Sequence, residues 1–405
     1  MSDKKTKQNR IFKSDLLSTE CGLISSSLFG TEFLPEENVD WKNVFNNLST
    51  QTIQTLPGSL LGSLPLDSEL KNKWKTDCIM HINNFYRNIF AQTELVNILT
   101  QNNIQFVILK GCAAAMYYPH PQYRIMGDVD FLVTPEQFDE AFQLLLNNGF
   151  ENGHSEFPRH EVLYKHGCEF EMHKYFSLNG GEKELNQLDN LFFDGIKNAE
   201  IKEIEGNSFP VLPPVANGLV LLQHIKHHIK RSLGFRQITD WMMYVKNVLT
   251  DEVWTNQFEA EAEKANLKSL AENITRMCQI YFGLDNNIKW CQNADDGLCS
   301  QIFEHIIETG NMGTNRTKIR QTSDQNTGFI NVFKNLQKNG LTHWKAAKKH
   351  RILRCFAWLW QIFHYLKVAF NDRISIKQIV ISSTKALNNE KMFESLGCSD
   401  NYIGG

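Results

Sequence analysis

The sequence predicts an α+β fold: a small mixed sheet flanked by helices, with a helical lead-in before it and a long helical C-terminal part after it. Three observations carry that expectation. Apolar residues recur at helical spacing over residues 68–101. The period then switches to the short apolar runs IQFVIL (Ile104–Leu109) and VDFLV (Val129–Val133), which have the length and composition of buried strands. Beyond the prolines at 210–214 helical spacing returns and persists.

Taken in order, residues 68–101 contain neither Pro nor Gly, so one unbroken helix is expected. After the first strand, CAAAMYY (Cys112–Tyr118) reads as a short helix ended by Pro119 and Pro121. The second strand leads into TPEQFDEAFQLLLNNGF, a helix with Thr134 as its N-cap, Pro135 at its first position and Gly149 as its stop. HEVLYKHG and CEFEMHKYF give two further strands with alternating faces around a glycine. The Pro210–Pro214 stretch reads as a linker, followed by the helices VANGLVLLQHIKHHIKRSL and FRQITDWMMYVKNVL. Four segments are therefore expected: a lead-in over 1–66, the sheet-bearing core over 67–210, a helical domain over 211–309, and a basic linker with aromatic helices over 310–405.

A chain of 405 residues with 42% hydrophobic and 11% aromatic content can bury a sizeable core, which excludes disorder over most of its length. The net charge of -3 gives no global signature of nucleic-acid binding, and long nucleic acid is disfavoured as a partner. Charge is uneven, however: between Asn315 and Ile379 thirteen Lys or Arg stand against two Asp. That segment is either a solvated basic face or a surface for phosphates or an anionic membrane. RILRCFAWLWQIFHYLKVAF (Arg351–Phe370) is too interrupted by polar residues to span a bilayer, but its aromatics and bases suit peripheral membrane contact or packing. The nine cysteines are scattered singly and the first residues lack a secretory apolar run, so reduced thiols and a cytoplasmic location are expected.

The chemistry concentrates at Asp128 and Asp130. Residues two apart on a strand share a face, so both carboxylates aim one way while Val129 points into the core. Unaided, such a pair repels, and one member tends to hold its proton. A divalent cation removes the conflict. Mg²⁺ takes carboxylate and phosphate oxygens and seldom gets a full cage from protein, so the pair suggests a metal shared with a phosphate-bearing substrate. The competing reading is a turn beside a capped helix. Three neighbours favour the metal: the Lys110-Gly111 step opening a helix, Gly127 permitting close approach, and Arg124 as a phosphate fork. A third carboxylate is expected on an adjacent strand, where Glu169, Glu171 and His173 share one face. Either glutamate can complete the site; a solvated outward face is the alternative for Glu171.

These residues resemble the DNA polymerase β-type nucleotidyltransferase superfamily. Within it, LKGCAAAMYYPHPQYRIMGDVDFLV followed by FEMHKYF is most similar to the uncharacterised nucleotidyltransferase family of bacteria, over roughly residues 75–250. The resemblance implies transfer of a nucleoside monophosphate from an NTP to an acceptor hydroxyl, with two Mg²⁺ ions, or Mn²⁺ in their place. It makes Asp128, Asp130 and Glu171 the catalytic metal ligands. Lys110, Gly111, Cys112, Arg124, Gly127, His173, Arg236 and Asp240 would line the nucleotide. The chain departs from the superfamily at Gly111-Cys112, where a Gly-Ser or Gly-Gly step is usual, so backbone amides alone would serve there.

His224, His227 and His228 lie on one predicted helix without the Glu of an HExxH motif. Packing, or contact of one imidazole with the nucleotide, is the better reading than a metal site. Arg236 and Asp240 are four apart, which allows a helical ion pair or an Arg236 that reaches the nucleotide. No GxGxxG or GxSxG occurs. The rival to an enzyme is a catalytically silent scaffold of the same fold, docking a membrane or partner through its C-terminal helix.

Overall fold

The computed structural model describes residues 15–153, 160–177, 187–230 and 233–311, with short pieces at 337, 341, 344, 353–360, 362–363 and 389–398. Two compact units, 1–315 and 316–405, divide the chain. Nearly all of the 310–328 linker and most of the basic and aromatic C-terminal stretch lie outside the described residues.

In the first unit, α1 (Asp15–Phe29) and α2 (Trp41–Thr50) form the lead-in. The expected long helix is α3 (Ser68–Gln101), capped by the Asp67 carboxylate accepting from Leu70 N at 2.8 Å. After it come β1 (Phe106–Leu109), α4 (Gly111–Ala115), β2 (Val129–Val133), α5 (Phe138–Asn147) and β3 (Glu151–Asn152). Next are β4 (His160–Lys165), β5 (Cys168–His173), α6 (Gln187–Lys197), β6 (Glu200–Ile204) and β7 (Asn207–Val211). The helical remainder is α7 (Pro214–His228), α8 (Phe235–Asn247), α9 (Asp251–Val253), α10 (Glu259–Lys264), α11 (Lys268–Phe282) and α12 (Asp296–Thr309).

The seven strands make one mixed sheet in the order β3-β4-β5-β2-β1-β7-β6. β1 pairs antiparallel with β2 and parallel with β7, while β2 runs parallel to β5. Two-residue turns close both hairpins, His166-Gly167 between β4 and β5 and Glu205-Gly206 between β6 and β7. All four residues have positive φ, as the twist of a tight hairpin requires. Ile108, Val129, Phe131, Phe170 and Met172 pack on one face of the sheet with Phe85, Leu95 and Leu99 of α3 and Leu145 of α5. By alternation, Asp130, Glu171 and His173 belong to the opposite face.

Two boundary expectations are corrected. Helix α5 starts at Phe138, not at Thr134-Pro135. Gln137 N donates to Thr134 O in a turn, and the Gln137 side chain is spent on the approach to β1, accepting from Gln105 N and donating to Asn103 O. The supposed linker at Pro210 is strand β7. A proline is tolerated there because β7 meets β1 at a single register position, Ile108 against Val211, so little of that ladder is lost.

Candidate active site

The local sequence delivers three side chains to one spot. β2 and β5 run parallel with Asp130 opposite Glu171, and His173 follows two residues later on the same face. His173 Nε2 lies 2.9 Å from Asp130 Oδ1 and 3.4 Å from Glu171 Oε2. Ligand atoms of Asp130, Glu171 and His173 all fall within 4.8 Å of one another, a group able to hold a metal ion. The surroundings hold His173 in place. Its ring packs 5.4 Å from His160 on β4 and 5.5 Å from Phe176. The segment carrying Phe176 is anchored by Asp189 of α6, which accepts from Phe176 N and Ser177 N.

Lys110 joins this group from the end of β1. Its Nζ is 2.6 Å from Asp130 Oδ1, so that one oxygen, almost fully buried, faces two cationic or donor groups. The Lys110 backbone holds φ 44 and ψ -130, a conformation that costs a side-chain-bearing residue about 1–3 kcal/mol and that clusters at functional sites. Gly111 follows with φ 23, and a Cβ there would stand 3.4 Å from Met126 Cε. Asp128 sits beside the group, at the entrance to β2 and outside the metal-holding trio. Exposed Gly127 precedes it.

Electrostatics follow from that crowding. Asp130 is the main reason the Asp128 carboxyl is raised above its ordinary range, with burial second. Burial alone would raise Glu171, but the His173 hydrogen bond and the Lys110 charge outweigh it and hold the carboxyl at about 2. Burial would depress His173 and Lys110, yet the carboxylates around them keep both above their ordinary values. The trio offers two carboxylates and one imidazole. That donor set fits a divalent ion accepting both oxygen and nitrogen, such as Mn²⁺; Mg²⁺, which prefers oxygen, would lean on the carboxylates, with Asp128 within the same strand entrance.

The other expected residues are placed unequally. Arg124 is buried with its guanidinium spent. Nε and Nη2 each donate to Asp240 at 2.7 Å, and Nη1 reaches Met126 Sδ at 3.2 Å. Tyr118 Oη donates to the same Asp240 at 2.8 Å. Arg124 and Asp240 thus form a buried bidentate pair tying the 119–128 loop to α8, which corrects the reading of Arg124 as an open phosphate fork and of Asp240 as a partner of Arg236. Cys112 is fully buried in the sheet's core, where burial raises its thiol to about 12; only its backbone remains on offer. Arg236 lies against Gly127, its Nη1 3.5 Å from where a Cβ would stand. Glu169 is exposed on the outer part of the same strand face.

His173 was expected against the nucleotide, and the structure groups it instead with Asp130 and Glu171. Its even spacing from Glu171 carried that information. His224 and His228 of α7 are held well below the ordinary imidazole value by burial first and then by neighbouring cations, Lys110 and Arg236 among them.

No curated protein matches the chain. A crystal structure of an antigenic nucleotidyltransferase-like protein from Paracoccidioides brasiliensis overlaps 49% of this chain and 92% of that one, at 14% identity and a TM-score of 0.30, a likeness too loose to bear an argument. The family model described as uncharacterised nucleotidyltransferase matches residues 37–283, and with more than half of its length so matched the chain belongs to that family.

Proposed function

We propose that the protein transfers a nucleoside monophosphate from an NTP to an acceptor hydroxyl, using divalent ions held by Asp128, Asp130 and Glu171, with His173 as a further ligand. The observation that carries this reading is the convergence of Asp130, Glu171 and His173 on the sheet face opposite the core, in a chain of nucleotidyltransferase family. Mg²⁺ or Mn²⁺ bound there would supply charge neutralisation at the phosphoryl oxygens and acidify a nucleophilic hydroxyl. Glu171, held near 2, is a weak proton acceptor and suits a ligand role. Lys110 places a positive charge beside Asp130. All nine cysteines are unpaired, which suits the reducing cytoplasm.

Incubating the protein with each α-³²P-labelled NTP, Mg²⁺ or Mn²⁺ and a cell lysate tests the proposal. Label should pass to an acceptor with the unaltered protein and not with Asp130→Asn; equal labelling by both would refute it. The scaffold reading draws on exposed apolar residues in the second unit, with Phe356 53% and Phe363 63% exposed. Among the described residues no helix is long and apolar enough to cross a membrane. Flotation with anionic liposomes, lost in a Phe356→Ser/Phe363→Ser protein, would support it.

A further inference from the structure

We propose that the exposed face of α3 is a docking surface for α3 of a second copy of the chain, packed antiparallel about a two-fold axis. The inference is independent of the nucleotidyltransferase reading and concerns how the molecule assembles.

The first support is the stripe itself. Along α3 the positions 72, 76, 79, 83, 86, 90, 93 and 97 alternate in steps of four and three, the spacing of a helix face that pairs with another helix. All of them are exposed except Thr93, which is part-buried. Ile79 and Phe90 on this line are 58% and 62% exposed, and Tyr86 on the line and Met80 beside it are exposed as well. Single apolar residues scattered over a surface call for no account, but four gathered on one stripe of one helix mark a contact face.

The second support is that the stripe complements itself. With an antiparallel pair centred between residues 84 and 85, Ile79 of one copy meets Phe90 of the other and Tyr86 meets Asn83. Farther out, Thr76 meets Thr93 and Asn72 meets Asn97. Apolar thus falls on apolar and polar on polar, the Tyr86 hydroxyl finds an amide, and each match occurs twice by symmetry. On the open flank the same register sets Lys73 beside Glu94, and Met80 along the stem of Arg87. Lys73 lies over the Phe45 ring at 5.0 Å and makes no ion pair among the described residues. Glu94 is fixed on its flank by His166 Nε2 at 2.7 Å. Such a pair adds little affinity at a surface and serves to set the register. Parallel pairing would instead gather Lys73 and Lys75 of both copies at one end, with the helix dipoles opposed to it.

The other side of α3 carries Phe85, Leu95 and Leu99 onto the core face of the sheet, whereas Asp130 and Glu171 belong to the opposite face. Pairing through α3 therefore leaves both candidate sites uncovered.

Sedimentation velocity of the full chain over a dilution series tests the pairing. A monomer–dimer equilibrium is expected, and Ile79→Glu/Phe90→Glu should weaken it by about a hundredfold or more, because a few central anchors carry most of an interface's affinity. Both side chains are exposed, so the variant should melt as the unaltered chain does. Cross-linking in a Cys355→Ser background, which removes the exposed native thiol, reads the register. A mixture of Ile79→Cys and Phe90→Cys proteins should cross-link with a short bis-maleimide. Neither alone should, since like positions would stand about 16 Å apart along the helix axis. A chain that stays monomeric at every concentration, or a dimer undisturbed by Ile79→Glu/Phe90→Glu, overturns the proposal. Cross-linking as efficient within either single variant as in the mixture overturns it too, by excluding the antiparallel register.

Discussion

Buried acids in this chain meet two different fates. Asp130 is paired with Lys110 and His173, while Glu171 is held at about 2 by its His173 hydrogen bond and the Lys110 charge. Glu20 on α1 has no cationic partner among the described residues. Its Oε1 accepts from Asn47 Nδ2 at 2.7 Å and its Oε2 has no partner, and burial raises the carboxyl from 4.5 to about 7. A carboxyl whose folded-state pKa is raised supports the fold below the unfolded value and loses that support as pH climbs through the folded one. Stability should therefore fall between about pH 4.5 and 7 on account of Glu20. The whole effect is at most about 3 kcal/mol, from roughly 1.4 kcal/mol per pH unit. Urea unfolding of Glu20→Gln beside the unaltered protein should show the variant gaining relative stability as pH rises from 5 to 8 (about that range spans the titration). Parallel pH profiles would show that Glu20 is solvated after all.

Between elements, the buried Arg124–Asp240 pair is the principal polar tie from the loop ahead of β2 to α8. Asp240→Ala strands a buried guanidinium and should cost about 3–5 kcal/mol in chemical denaturation. Arg124→Met/Asp240→Leu should recover much of that, because it removes both charges; strictly additive losses would mean the pair is not coupled. Within α7, a Cβ at Gly218 would come within 2.4 Å of the Tyr244 ring, whose hydroxyl donates to Pro214 O. Gly218→Ala should cost about 1–3 kcal/mol by forcing Tyr244 aside, and an unchanged thermal midpoint would contradict that packing. Legibility in the sequence varied at this scale with the range of the interaction. The α3 helix and strand β2 matched their periodicity because apolar spacing alone decides them. The start of α5 did not, since Gln137 serves β1 from thirty-two residues away along the chain. β7 hid behind its proline, and the partner of Asp240 proved to be 116 residues distant where the sequence offered one four residues away.

For the whole molecule, the family match at 37–283 falls inside the compact unit 1–315. A chain ending at Asn315 is expected to melt cooperatively and to bind Mn²⁺ as the full chain does; aggregation of that fragment would show that 316–405 is needed for folding. The candidate site was legible in outline because parallel pairing of β2 with β5 turns two even-spaced patterns into one cluster. What lay beyond sequence is the engagement of Asp240 by Arg124, which ties α8 to the loop ahead of β2. The account as a whole stands on Asp130, Glu171 and His173 acting together on a divalent ion. Electron paramagnetic resonance titration of Mn²⁺ measures that directly. The unaltered protein should take up the ion, and Asp130→Asn and Glu171→Gln should each weaken it by about a hundredfold or more, as loss of a direct ligand requires. Mn²⁺ binding that is the same in all three proteins would contradict it.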